Sequence, residues 1–209
     1  MNLEIYEEIK NRILFLQYAP GQILNEKKLA DEFGVSRTPL REVLYKLEWD
    51  KLVTIMPRAG AMVTLVEFQK LREVFQVRIN IEGLIGSLAA ERITDNQLRQ
   101  IQKIQDECKR LTAHENIKEL INKDIKFREI LNNSVENVSL KEISDYLYNQ
   151  TLRVWYMVFD RNNFSVEVEE EIKEIEKTIE VLSKRDPREV EKFRRDVIIN
   201  YVARIRSKF

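Results

Sequence analysis

Apolar residues recur along most of the chain at intervals of three and four, the period of helices that bury one face. Ile5, Ile9, Ile13 and Leu16 define a first helix that stops near Tyr18, before the Pro20-Gly21 turn. Leu29, Ala30 and Phe33 define a second, which starts after Asn25 as its cap and ends at Gly34, a residue free to take the left-handed conformation that closes a helix. Ser36 is expected to cap a third, where Pro39 is tolerated because first-turn amides have no helical acceptor. Leu40, Val43, Leu44 and Leu47 form the apolar stripe of this third helix, and Arg37, Thr38, Arg41 and Tyr45 share another face. Leu52 to Met56 and Ala61 to Leu65 then read as two strands around the turn Pro57-Arg58-Ala59-Gly60. Helix, glycine-containing turn, helix and hairpin make a winged helix-turn-helix pattern.

From residue 67 onward the pattern is helical throughout. Glycine disappears after Gly86, and Pro187 is the only proline beyond Pro57. Six helices are predicted, five of them with bounds. The first, 67 to 92, carries two stripes. Val74, Val77, Ile81, Leu84 and Leu88 form a wholly apolar row, whereas Phe68, Leu71, Phe75, Arg78, Glu82, Ile85 and Ala89 form a row broken by two charges. Those charges read either as an ion pair at the edge of the core or as the lining of a polar pocket. Gly83 and Gly86 permit close packing of a neighbouring helix. A second interrupted stripe, Ile117, Ile121, Asp124, Arg128 and Leu131, marks the helix from about 115 to 132. The helix from about 138 to 160 is apolar nearly all round, and the last two span about 164 to 185 and 187 to 207. The expected architecture is mostly α: residues 1–66 a winged helix-turn-helix with a small β-wing, residues 67–209 an all-α six-helix bundle.

Composition narrows the functional classes. The 35 Lys and Arg balance 35 Asp and Glu, and the front module is also neutral, with nine of each sign. Residues 33–41 nevertheless hold two arginines and no acid. No apolar run approaches the roughly 18 residues needed to cross a bilayer, and the N-terminal MNLEIYEEIK is acidic where a secretory signal would be basic. A cytoplasmic location with no membrane partner is the expectation. One cysteine, Cys108, precludes an internal disulfide, and one histidine, His114, excludes most imidazole-based chemistry. Nothing resembles a nucleophile with its base, a phosphate loop or an acid/base pair, so no enzymatic activity is expected.

The segments Leu24-Asn25-Glu26-Lys27-Lys28-Leu29-Ala30, Phe33 through Leu44 (FGVSRTPLREVL) and Leu52-Val53 through Gly60 closely resemble the winged-helix domain of GntR-family transcription regulators. The resemblance implies that Arg37, Thr38 and Arg41 contact operator bases and phosphates, that Lys27 reaches DNA from the preceding helix, and that Gly60 at the wing enters the minor groove. Ser36 and Arg58 complete the expected DNA-binding set. An arginine fork suits this face because it bonds guanine O6 and N7, or a phosphate, bidentately.

The six-helix remainder resembles the FCD effector domain of the FadR-like branch, through Arg78-xxx-Glu82 followed by Ala89-Ala90-Glu91, Asp124-xx-Phe127, Asn137-xx-Leu140 and Asp186. In many FCD domains a metal is held by the aspartate matching Asp124, a histidine four residues on, and histidines of the last two helices. Here Arg128 stands at the second position, the late helices lack histidine, and His114 lies in the polar run Thr112 to Glu115. No metal and no other cofactor are therefore expected. Arg78, Asp124 and Arg128 become the candidate effector residues. Either the arginines bind a small organic acid or phosphate directly, or Arg128 neutralises Asp124 and the cavity is occupied or closed. The combined expectation is a homodimeric regulator, a repressor rather than an activator, on a palindromic double-stranded operator. The alternatives are a regulator with a non-functional effector pocket and a metal-free small-molecule-binding protein.

Overall fold

The computed structural model describes residues 2–111, 117–159 and 163–206; His114 lies outside these. Their backbone contacts divide into two compact units, one of residues 1–72 with 149–157 and one of 73–148 with 158–209. The sequence places a boundary at 66 and has no signal for the assignment of 149–157.

The first unit contains α1 (Asn2–Leu14), β1 (Ile23–Leu24), α2 (Glu26–Phe33), α3 (Arg37–Trp49), β2 (Val53–Met56) and β3 (Gly60–Val63). Ile5, Ile9 and Ile13 of α1 and Leu40, Val43, Leu44 and Leu47 of α3 are buried, as their spacing predicts. Asn25 caps α2, its side-chain oxygen accepting from the amides of Lys27 and Lys28 at 2.9 and 3.0 Å. Gly34 ends the helix in the left-handed region at φ 65°. Ser36 departs from expectation. It stands at the N-cap of α3 in extended conformation, but its side chain makes no capping bond. The sheet has the order β1-β3-β2, all antiparallel, with Leu24 opposite Ala61 and Met56 opposite Gly60.

The second unit is helical: α4 (Phe68–Arg92) from Glu73 on, α5 (Asp95–Lys109), α6 (Ile117–Ser134), the first half of α7 (Val138–Val158), α8 (Phe164–Ser183) and α9 (Pro187–Arg206). The six expected helices are present. A capping box of Thr94 and Gln97 starts α5, and Asn137 caps α7. Gly83 and Gly86 bring α4 against α9, where a Cβ at either would lie 2.7 Å from the Cγ of Arg195 or Arg194. The close contact decides between the two rows of α4. The row interrupted by Arg78 and Glu82 is the buried one, and Val77 and Leu84 of the wholly apolar row are 49% and 46% exposed. None of the described helices is long and apolar enough to cross a membrane.

Candidate nucleic-acid interface and candidate effector site

Burying Leu40, Val43, Leu44 and Leu47 turns the other side of α3 outward, so Arg37, Thr38, Arg41 and Ser36 are all exposed. Arg41 is steered by α2, its Nε donating to Glu26 Oε2 at 2.9 Å. Lys27, on the next residue, is exposed as well. Two further residues on α3 are conspicuous: Tyr45 is 58% and Trp49 81% exposed. Continuing the step of four from Arg41 through Tyr45 reaches Trp49, the signal that would have added it to this face.

Arg58, in the turn between β2 and β3, is exposed and at φ 68°, in the left-handed region that a non-glycine residue seldom adopts. Gly60 sits where the turn joins β3, opposite Met56. It is buried, its φ is 116°, and a Cβ there would lie 2.2 Å from the carbonyl oxygen of Leu24. Glycine at 60 is thus required by the approach of β1, whatever else the residue does.

The second unit encloses a dense set of buried charges. Glu82 of α4, 2% exposed, is held by Arg128 of α6 at 2.6 Å, by Arg194 of α9 at 3.0 Å and by Arg78 at 3.6 Å. Arg194 also bonds Glu174 of α8 at 2.8 Å, and Arg128 donates to Ser144 of α7 at 3.0 Å. Asp124 accepts from the Tyr148 hydroxyl, and the Arg128 guanidinium lies 4.3 Å from the centre of the Tyr148 ring. The three candidate residues are thus brought into one core, with two corrections. Arg128 pairs with Glu82 and not with Asp124 among the described residues, and the Arg78-Glu82 pair is fully buried and not at the edge. Sequence reasoning missed Arg194, which is 1% exposed. It interrupts the apolar step Val190, Ile198 in the same way that Arg78 interrupts its own stripe.

These environments set the protonation states. Burial opposes ionisation of Glu82, but Arg128, Arg194 and Arg78 outweigh it and hold the carboxyl well below the usual carboxylate range. Burial raises Asp124, against the pull of Arg128. Burial and then the neighbouring Asp124 and Glu174 carboxylates push Glu171 well up, and its Oε1 is buried with no hydrogen-bond partner.

The residues present do not fit a metal. Three guanidiniums surround the position, Asp124 is engaged by Tyr148, and no group of three His, Cys, Asp or Glu able to hold an ion occurs among the described residues.

A recognition helix with exposed arginines, preceded by a capped helix and followed by a two-stranded wing, defines a winged helix-turn-helix protein with an all-helical companion unit. Residues 2–63 match the bacterial regulatory proteins of the gntR family and residues 73–198 match the FCD domain. The chain belongs to the GntR family, in the branch that carries an FCD domain. It is similar to the uncharacterised HTH-type transcriptional regulator YdhC of Bacillus subtilis, 30% identical over 147 residues, covering 69% of this chain and 65%, just under two thirds, of that protein. It is 28% identical over 160 residues to the transcriptional repressor RspR of Escherichia coli, covering 77% of this chain and 70% of RspR. The fold is shared with E. coli McbR/YncC at a TM-score of 0.85 and 21% identity, over 99% of this chain and 97% of that one.

Proposed function

We propose that this protein is a dimeric regulator of transcription that reads a palindromic operator with α3, represses, and is modulated by a small organic acid at the buried arginine core. The observation that carries the reading is the exposed row of Arg37, Thr38 and Arg41 on a helix whose opposite side is wholly buried, beside a wing tipped by Arg58. Lys27, Ser36 and Gly60 complete the DNA set. Repression is the role of RspR, to which the chain is similar. A second copy is favoured by the exposed apolar row of α4, which a single chain leaves in water at Val77 and Leu84. Two copies would present two recognition helices to two half-sites, which supplies affinity and register together.

Gel shift against the DNA flanking its own gene, at stated salt, tests the reading. Arg37→Ala and Arg41→Ala are each expected to cost about 1–3 kcal/mol in operator binding. Full affinity in both variants refutes the assignment of α3.

For the effector, Arg78, Arg128 and Asp124 line the proposed site, and an incoming carboxylate would replace Glu82 on the guanidiniums. A second reading is favoured by the 2.6 and 3.0 Å contacts of Glu82 itself: its charge is already paired with two of the guanidiniums, and the core takes no ligand. Thermal shift of wild type and Arg78→Ala across a panel of organic acids separates the two. Acid-specific stabilisation that disappears in the variant supports the sensor, and its absence from wild type supports the closed core.

A further inference from the structure

Helix α7 belongs to both compact units, with residues up to Tyr148 in the second and Asn149 to Met157 in the first. Its first half is bonded into the arginine core, where Ser144 accepts from Arg128 and Tyr148 donates to Asp124. Five residues beyond Tyr148 stands Arg153, 4% exposed. Its Nη1 donates to the carbonyl oxygen of Thr64 and its Nη2 to the Thr64 hydroxyl, both at 2.9 Å. That hydroxyl in turn donates to the carbonyl of Lys51 at 2.8 Å, and the Thr64 amide donates to the carbonyl of Leu52 at 3.0 Å. Lys51 and Leu52 are the residues that close the recognition helix: their amides return to Glu48 and Leu47, and Lys51 takes φ 58° to make the turn.

Arg153 is an expensive way to fill this space. No carboxylate pairs with it among the described residues, its Nε is buried without a partner, and burial pulls its pKa down to about 10. A methionine would fill a similar volume without desolvating a cation. Only the two-pronged fork explains an arginine here, since it grips the carbonyl and the hydroxyl of one residue at once. Nearby, Tyr156 meets Phe15 edge-on at 5.7 Å and 77°, so this half of α7 has an apolar seat as well.

We propose that Arg153 is a positioning residue, through which α7 holds the C-terminal end of the recognition helix by way of Thr64 and transmits changes in the arginine core to it. The proposal rests on the regulator reading for its meaning, but its physical content is a link between α7 and residues 51–52. Amide hydrogen exchange on the full chain without DNA tests that link, so a failed operator assay and a failed link are separate results.

Arg153→Met and Thr64→Val are each expected to speed exchange across residues 51–56 roughly five- to tenfold, and to leave α2, residues 26–33, at the wild-type rate. Thr64→Val removes the hydroxyl and keeps the shape, so it answers the question if Arg153→Met folds poorly. Arg153→Lys, with one donor group in place of a fork, should recover part of the protection. At the far end, Tyr148→Phe should change exchange at 51–56 in the wild-type background and not in Arg153→Met. Three results overturn the proposal: wild-type exchange at 51–56 in both variants, equal acceleration of 51–56 and α2, or the same Tyr148→Phe effect with and without Arg153.

Discussion

Replacing Glu82 by glutamine removes one negative charge from a site where three guanidiniums converge. Arg128 and Arg194 lose their carboxylate at 2.6 and 3.0 Å, and neither can turn to water, since their side chains are 6% and 2% exposed. The glutamine carbonyl serves one of them, while its amide nitrogen meets the other donor to donor. Breaking one side of a buried pair costs about 3–5 kcal/mol, because the orphaned charge stays buried. For a chain of this size each kcal/mol moves Tm by roughly 2–4 °C, so the melting point should fall by roughly 10 °C. The carboxyl is depressed in the fold, so its contribution is complete above the unfolded value of about 4.3 and is lost as pH falls toward the folded one. The gap between wild type and variant should therefore be constant near neutrality and narrow in acid. Calorimetry or circular dichroism at pH 7 and pH 4 reads both. A Glu82→Gln protein that melts within about 2 °C of wild type at pH 7 would show that water or other groups solvate these guanidiniums, and the argument from burial would fail.

Glu171 should behave in the opposite sense: its folded pKa is raised, first by burial, so stability falls as pH rises from the unfolded value toward the folded one. Glu171→Gln should flatten that slope and be more stable than wild type at pH 8, as equilibrium denaturation at pH 5 and 8 would show. Gly60→Ala should cost more than about 2 kcal/mol, because the new methyl meets the Leu24 carbonyl, whereas Gly34→Ala, with nothing within 4 Å, should cost about 1 kcal/mol from backbone conformation alone. Asn25→Ala should lose about 1 kcal/mol with its two capping bonds, and Ser36→Ala should leave melting nearly unchanged.

What was legible in the sequence was local. Asn25 and Gly34 do their work within a few residues, and the apolar stripes of α1 and α3 are buried as their spacing implies. Ser36 shows the limit, since a residue of capping type need not make the bond. The two-residue strand β1 carries no signal of its own and exists because β3, far along the chain, pairs with it. The two stripes of α4 could not be ranked from the sequence for a related reason. Periodicity marks both rows, and it is α9, supplying Arg194 from 112 residues away, that makes Glu82 buriable. The exposed face of α3 was readable because exposure followed from the position of the stripe opposite. The arginine core was half readable: interrupted stripes named Arg78, Asp124 and Arg128, while the partner of each depended on packing.

The clasp of Leu24 over Gly60 bears on how a duplex would be met. β1 ends at the residue before the cap of α2, and it is hydrogen-bonded to the strand that carries the wing back. The helix pair is thereby tied to β3 close to the turn, and the wing would have little freedom left to lose on meeting a phosphate backbone. Ordering a loose hairpin would draw on the free energy of every phosphate contact it made. A pre-set wing makes association closer to rigid docking, with a smaller entropic penalty and a faster approach to register.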